Sequence, residues 1–107
     1  MRIAEGLTTV VPDWFVKTNA STSVPVRLSN TRIKFRSATL RGEKAVGTNN
    51  TGTVRIGWSG VDGEQTIPIS AGEEIGLEAG SGEALDFYDI WLDCATANDG
   101  VVVADYS

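Results

Sequence analysis

The residues whose types and spacing suggest chemistry are carboxylates: Asp86, Asp89 and Asp93 fall within one short stretch, and Glu73 and Glu74 are adjacent. Two acids work as general acid and base only when both reach one substrate. Adjacent strand residues point to opposite faces, so Glu73 and Glu74 do not converge. The chain has no His, which removes Ser-His-Asp and Cys-His arrangements and any His-containing zinc site. Its single cysteine, Cys94, excludes an intrachain disulfide and sits in an alternating pattern that reads as a small buried hydrophobe. Gly80-Ser81-Gly82 lacks the third glycine of a dinucleotide fingerprint and opens no helix. Gly60 to Glu64 and Asn98 to Gly100 are turns that do not match a Ca²⁺ loop of about twelve residues. No catalytic, cofactor or metal residues are expected, and the chain does not read as an enzyme.

Binding chemistry remains. Trp91 lies between Asp89 and Asp93 at strand spacing, so an indole flanked by two carboxylates could stack a sugar ring. The same residue suits an interface anchor, or a core position covered by the N-terminal segment. In Thr31 to Leu40, Arg32, Lys34 and Arg36 alternate with Ile33 and Phe35. Period-two geometry puts the three cations in a row on one face. The row is either an outer face neutralised by cross-strand carboxylates or a docking stripe for an acidic partner. The formal net charge of −5, with no aromatic on the same face as the row, argues against nucleic acid. The sequons Asn19-Ala20-Ser21 and Asn49-Asn50-Thr51 are taken as chance.

The elements that would position these residues are short strands and turns. Asn49 to Leu77, NNTGTVRIGWSGVDGEQTIPISAGEEIGL, runs turn, strand, turn, strand, turn, strand with almost no spare residues. Within it Val54, Ile56 and Trp58 are expected to point inward and Arg55 outward. Asp62-Gly63 and Ala71-Gly72 make tight corners before Gln65 to Ile69 and Glu74 to Glu78. Upstream lie Val24 to Leu28, one long strand from Thr31 to Leu40, and a polar hairpin loop from Gly42 to Gly52. Downstream, a strand from Leu85 to Cys94 is expected to hold Tyr88, Ile90, Leu92 and Cys94 on one face and Phe87, Asp89, Trp91 and Asp93 on the other. Asn98-Asp99-Gly100 turns the chain into a closing strand from Val101 to Tyr106.

This pattern, without a useful helical period, predicts an all-β fold: an antiparallel two-sheet β-sandwich or small jelly roll of seven to eight strands with an N-terminal arm. The Ser/Thr-rich Thr18 to Ser23 divides residues 1–23, arm and linker, from a sandwich domain over residues 24–107. The arm carries Val10, Val11, Trp14, Phe15 and Val16, an apolar load suited either to an extra strand on the chain's own sheet or to strand addition on a neighbour. At 107 residues, 41% hydrophobic and 21% charged, the chain fits one globular domain near the small end of the range. No apolar run approaches the roughly 18 residues of a membrane span. The opening residues lack a secretory apolar stretch, so assembly in a cytoplasm and no membrane partner are expected.

From about Val26 to Tyr106 the order of signals resembles small virion proteins of tailed bacteriophages. The resemblance rests on Arg32-Ile33-Lys34-Phe35, the Asn50-Thr51-Gly52-Thr53-Val54-Arg55-Ile56-Gly57 unit, Ile67-Pro68-Ile69, Ala71-Gly72-Glu73-Glu74-Ile75-Gly76-Leu77, and Asp86 to Leu92 followed by Gly100 to Val103. It departs where the family-like Pro-Gly-Glu is Ala71-Gly72-Glu73. The resemblance implies a non-enzymatic capsid decoration or cement protein, or a tail component, located in the virion and assembled in the bacterial host. Its expected partners are further copies of itself, as a trimer or other closed symmetry, and the major capsid protein or another virion protein. Trp14, Phe15 and Trp91 are then the expected interface anchors, with Arg32, Lys34 and Arg36 registering the contact. The alternative is a carbohydrate- or receptor-binding module of a tail fibre, using Asp89, Trp91 and Asp93.

Overall fold

A computed structural model describes residues 14–107 and the paired backbones of Arg2–Ile3 (β1) and Val10–Val11 (β2). The rest of the arm up to Asp13 lies outside the described residues. The next strands are Phe15–Thr18 (β3), Val26–Arg27 (β4), Lys34–Phe35 (β5), Ser37–Arg41 (β6), Glu43–Ala45 (β7), Thr48–Asn49 (β8) and Val54–Gly57 (β9). They are followed by Ile67–Ile69 (β10), Glu74–Glu78 (β11), Leu85–Asp86 (β12), Trp91–Cys94 (β13) and Gly100–Tyr106 (β14). Eight of them form a β-sandwich: one sheet has the order β11-β6-β14-β3, the other β10-β9-β13-β4, and every pairing is antiparallel. Apart from the β9–β10 hairpin, each connection between these eight strands crosses from one sheet to the other. A second hairpin, β7–β8, lies within the Gly42 to Gly52 stretch expected to be a loop, and β7 packs on β14 and β3.

The core is the alternation read inward from both sheets. Ala38, Leu40, Val101 and Val103 face Val54, Ile56, Ile69, Leu92 and Cys94, all buried. Phe35 stacks on Phe87 with centroids 3.9 Å apart, and Phe15 and Tyr106 meet the same Phe87 edge-on at 5.1 and 5.2 Å. Such pairs add to the burial energy of the rings.

Three expectations need correction. The strand drawn from Thr31 to Leu40 is two strands: β5 pairs with β12 and β6 with β11 and β14. Phe35 faces in at an odd position and Ala38 and Leu40 at even ones, so the pleat changes phase where the Arg36 and Ser37 amides both donate to the Ser107 carbonyl. The strand from Leu85 to Cys94 is likewise interrupted, by a 3₁₀ turn over Phe87–Asp89 capped by Asp86. Residues three apart eclipse in such a turn, so Phe87 joins Ile90 in the core instead of sharing a face with Trp91. Trp58 does not continue the Val54, Ile56 face and is 51% exposed. Pairing ends at Gly57, and Gln65 Nε2 holds the following loop by donating to the Ser59 and Val61 carbonyls at 2.6 and 3.0 Å.

These placements predict opposite outcomes for two large side chains. Leu92→Ala should lower the urea-unfolding free energy by about 2 to 5 kcal/mol through cavity formation. Trp58→Ala should change it by no more than about 0.5 kcal/mol; a Trp58 effect as large as that of Leu92 would place Trp58 in the core after all.

Candidate functional site

Alternation on β3 separates the two aromatics expected to act together. Phe15 turns inward to Phe87, whereas Trp14, 47% exposed, and Val16 turn outward. On that outer face β14 offers Val102 and Ala104, and the β7–β8 hairpin raises Val46, 62% exposed, beside them. Trp14, Val46, Val102 and Ala104, with Arg41 and Asp105, enclose a groove of about 430 Å³. Arg41 is held at the rim by Glu74, 2.8 Å from its Nε. The result is an apolar slot with two large side chains exposed and opposite charges among its walls.

The cationic row is exposed as expected at Arg32, Lys34 and Arg36, but its members have different surroundings. Arg32 lies 3.4 Å from Asp86 and 3.5 Å from Asp89, and its guanidinium sits 4.4 Å from the Tyr88 ring centroid. Lys34 is opposite Asp86 in the β5–β12 register.

Asp89, Trp91 and Asp93 are not one strand face. Asp89 belongs to the 3₁₀ turn and faces Arg32, while Trp91 and Asp93 lie on β13 opposite Gly57 and Arg55. The Trp91 ring is half-buried and in contact with two neighbours. Arg27, its register partner on β4, places its guanidinium carbon 4.5 Å from the ring centroid. A Cβ on Gly60 would come within 2.8 Å of the indole, so only glycine allows the loop this close. Further along the sheet, Thr22, Ser23, Thr53, Arg55, Asp93 and Ala95 line a polar groove of about 400 Å³.

Arg27 and Tyr88 escaped the sequence reading. Arg27 Nη1 donates to the Tyr88 carbonyl at 2.6 Å, and the guanidinium carbon lies 3.8 Å from the Tyr88 ring centroid. Trp91, Arg27, Tyr88 and Arg32 thus form a chain of cation–π contacts worth roughly 0.5 to 2 kcal/mol each according to exposure. Arg27 lies between Val26 and Leu28 at outward strand phase, but nothing local links it to a residue 61 positions away.

Asp86 organises this corner. Its carboxylate accepts from Ile33 N at 3.0 Å, Tyr88 N at 2.9 Å and Arg32 at 3.4 Å. Burial opposes its ionisation, yet these bonds outweigh it and hold its pKa below the usual carboxylate value. Burial, with Asp93 and Asp99 nearby, pushes the Cys94 thiol up; its Sγ lies 3.5 Å from the Asn19 carbonyl. Among the described residues no group of His, Cys, Asp and Glu is arranged to hold a metal ion, and no helix is long and apolar enough to cross a membrane.

No family model matches the chain, and neither a curated protein nor a solved structure matches it.

The Asp86 geometry fixes the sign of a pH effect. A carboxylate whose folded pKa lies below its unfolded pKa contributes stability that is present above the unfolded value and lost as pH falls through the folded one. Asp86→Asn should therefore be less stable than wild type near pH 7, by about 1 to 3 kcal/mol. The gap should narrow as both proteins are titrated to strong acid in urea-unfolding series; a gap independent of pH would remove the ionised carboxylate from the account.

Proposed function

We propose that this chain is a non-enzymatic structural protein of a tailed-phage virion, a capsid decoration protein that binds the assembled head as a symmetric oligomer. One observation carries the choice of docking face: the slot on the outer side of the β11-β6-β14-β3 sheet, where Trp14 and Val46 stand exposed above Val102 and Ala104. Exposed apolar side chains grouped around a groove mark interaction surfaces, and tryptophan is prominent among the residues that dominate interface energy.

The sheet edges support the same face. β10 carries Pro68, which cannot donate to an added strand, and β11 presents Glu74 and Glu78; both devices discourage edge pairing. The β3 edge, beside the slot, carries Val16 and follows Trp14. On a shell, a small domain gains contacts to lattice neighbours that its own core cannot supply, and the gain is multiplied over many copies.

A receptor- or carbohydrate-binding tail module is the second reading, favoured by the hydroxyl-bearing groove of Thr22, Ser23 and Thr53 beside Arg55 and Asp93. The Trp91 platform contributes less to it, because Arg27 already lies over that ring.

Co-sedimentation with expanded phage shells tests the decoration reading. Wild type should bind, and Trp14→Ser should bind at least about tenfold more weakly, in keeping with an anchor worth roughly 2 kcal/mol, while Arg55→Gln should bind as wild type does. Equal binding by Trp14→Ser would remove the slot from the mechanism, and absence of wild-type binding would end the decoration reading. Saturable binding to a glycan array, lost in Asp93→Ala, would favour the alternative.

A further inference from the structure

We propose that the slot on the outer face of the β11-β6-β14-β3 sheet takes a lysine or arginine side chain of its partner, with the stem along the apolar walls and the cation at Glu43 and Asp105. This rests on the slot being the docking face proposed above and adds which side chain enters it.

The charges around the slot do not balance. Glu74 above all, and then Glu43 and Asp105, raise the pKa of Arg41, so three carboxylates act on one guanidinium, and Arg41 is already taken up by Glu74. Glu43 differs from the other acids of the chain. Among the described residues the buried carboxylates are Glu43, Asp86 and Asp99; Asp86 and Asp99 accept from backbone amides, whereas Glu43, 9% exposed, has an oxygen buried without a partner. An exposed acid has water, but a buried one without a donor is costly. Gly42, between Arg41 and Glu43, lies on the core side, where a Cβ would meet Ile69 and Ser70, so Arg41 and Glu43 share the outer phase. β14 makes a matching adjustment. Its register on β6 shifts between Val103, opposite Leu40, and Asp105, opposite Thr39. This bulge brings Asp105 to the slot, where strict alternation from Val101 and Val103 would have turned it to the core.

The walls suit the rest of a basic side chain. Val46, Val102 and Ala104 offer apolar surface to its methylenes, and the exposed Trp14 indole offers its face to the cation. A neutral apolar side chain would fill the slot but leave Glu43 and Asp105 unpaired, and an acidic one would meet like charge.

The test uses the full ¹⁵N-labelled chain and two blocked tripeptides, one with a central lysine and one with norleucine in its place. The indole resonance of Trp14 should shift saturably with the lysine peptide while those of Trp58 and Trp91 stay. The norleucine peptide should bind at least about fivefold more weakly, the scale of a charge-assisted contact at a partly exposed site. Glu43→Gln and Asp105→Asn should each weaken the lysine peptide by about threefold or more, whereas Asp62→Asn, the same charge change in the exposed β9–β10 turn, should stay within about twofold. Asp105→Asn decides the matter if Glu43→Gln does not fold. The proposal is overturned if the lysine peptide leaves Trp14 unmoved, if the norleucine peptide binds as tightly, or if Asp62→Asn loses as much as Asp105→Asn. In shell co-sedimentation Glu43→Gln and Asp105→Asn should bind more weakly than wild type. Equal binding by both would overturn the proposal and leave the shell reading standing, whereas a wild type that ignores shells but takes the lysine peptide would end the shell reading alone.

Discussion

The two sheets are tied at one end by a buried polar knot centred on Asp99, and the arrangement of both candidate surfaces depends on it. Asp99 is fully buried, and its carboxylate accepts from the amides of Thr51 at 2.9 Å and Gly52 at 2.8 Å. Its carbonyl accepts from Asn19 N at 2.9 Å. Asn50 trades both amide groups with the Gly100 backbone, at 2.7 and 2.9 Å, in the manner of a ladder pair. Asn19 then reaches across with its Nδ2 to the carbonyls of Val24 and Leu92. A buried carboxylate or amide is costly unless its hydrogen-bonding capacity is met, so these groups hold one another in place or not at all.

That knot joins the end of β3 and the start of β14, in one sheet, to the turn before β9 and to β13, in the other. It brings β3 so close to β14 that a Cβ on Gly100 would overlap the Lys17 carbonyl and approach Thr18 Cα at 2.9 Å. Trp14 is thereby kept on the outer face, at the mouth of the slot, while Phe15 is pulled into the aromatic cluster around Phe87. On the opposite sheet the knot sets β13, and with it Trp91 and the strand β4 that carries Arg27. The Asp86 corner does the equivalent work at the 3₁₀ turn, fixing Tyr88 beneath Arg27.

Much of the scaffold was legible because it is written locally. The turns Asp62-Gly63, Ala71-Gly72 and Asn98-Asp99-Gly100 occur where expected, with Gly63 at φ 86°, Gly72 at φ 76° and Asn98 at φ 72°. β11 matches the expected Glu74 to Glu78, and the inward set Val54, Ile56, Leu92, Cys94 follows from period two. The rest is set by partners distant in sequence. Phe87 turns inward because Asp86 finds the Ile33 amide, 53 residues away. Asn19, Asn50 and Asp99 have the composition of turn formers, and nothing nearby marks them as buried; their burial depends on backbone groups of other elements, Leu92 for Asn19, Gly100 for Asn50, and Thr51 and Gly52 for Asp99. Trp58 looked like core because alternation was carried one residue past the last strand pair. Of the candidate site residues, the exposure of Arg32, Lys34 and Arg36 was readable, whereas the Arg27–Tyr88–Trp91 cluster and the hairpin wall at Val46 exist only once the sheets are assembled.

The most direct test of the knot is a double-mutant cycle between Asn50→Ala and Asp99→Ala, read from urea-unfolding free energies. Both side chains fasten the same turn, Asn50 through Gly100 and Asp99 through Thr51 and Gly52. Each single substitution is predicted to cost about 2 kcal/mol or more, with a coupling of at least about 1 kcal/mol because the first loss releases the turn that the second would have held. Costs that add to within about 0.5 kcal/mol would contradict a cooperative knot and leave the two sheets held by their apolar core alone.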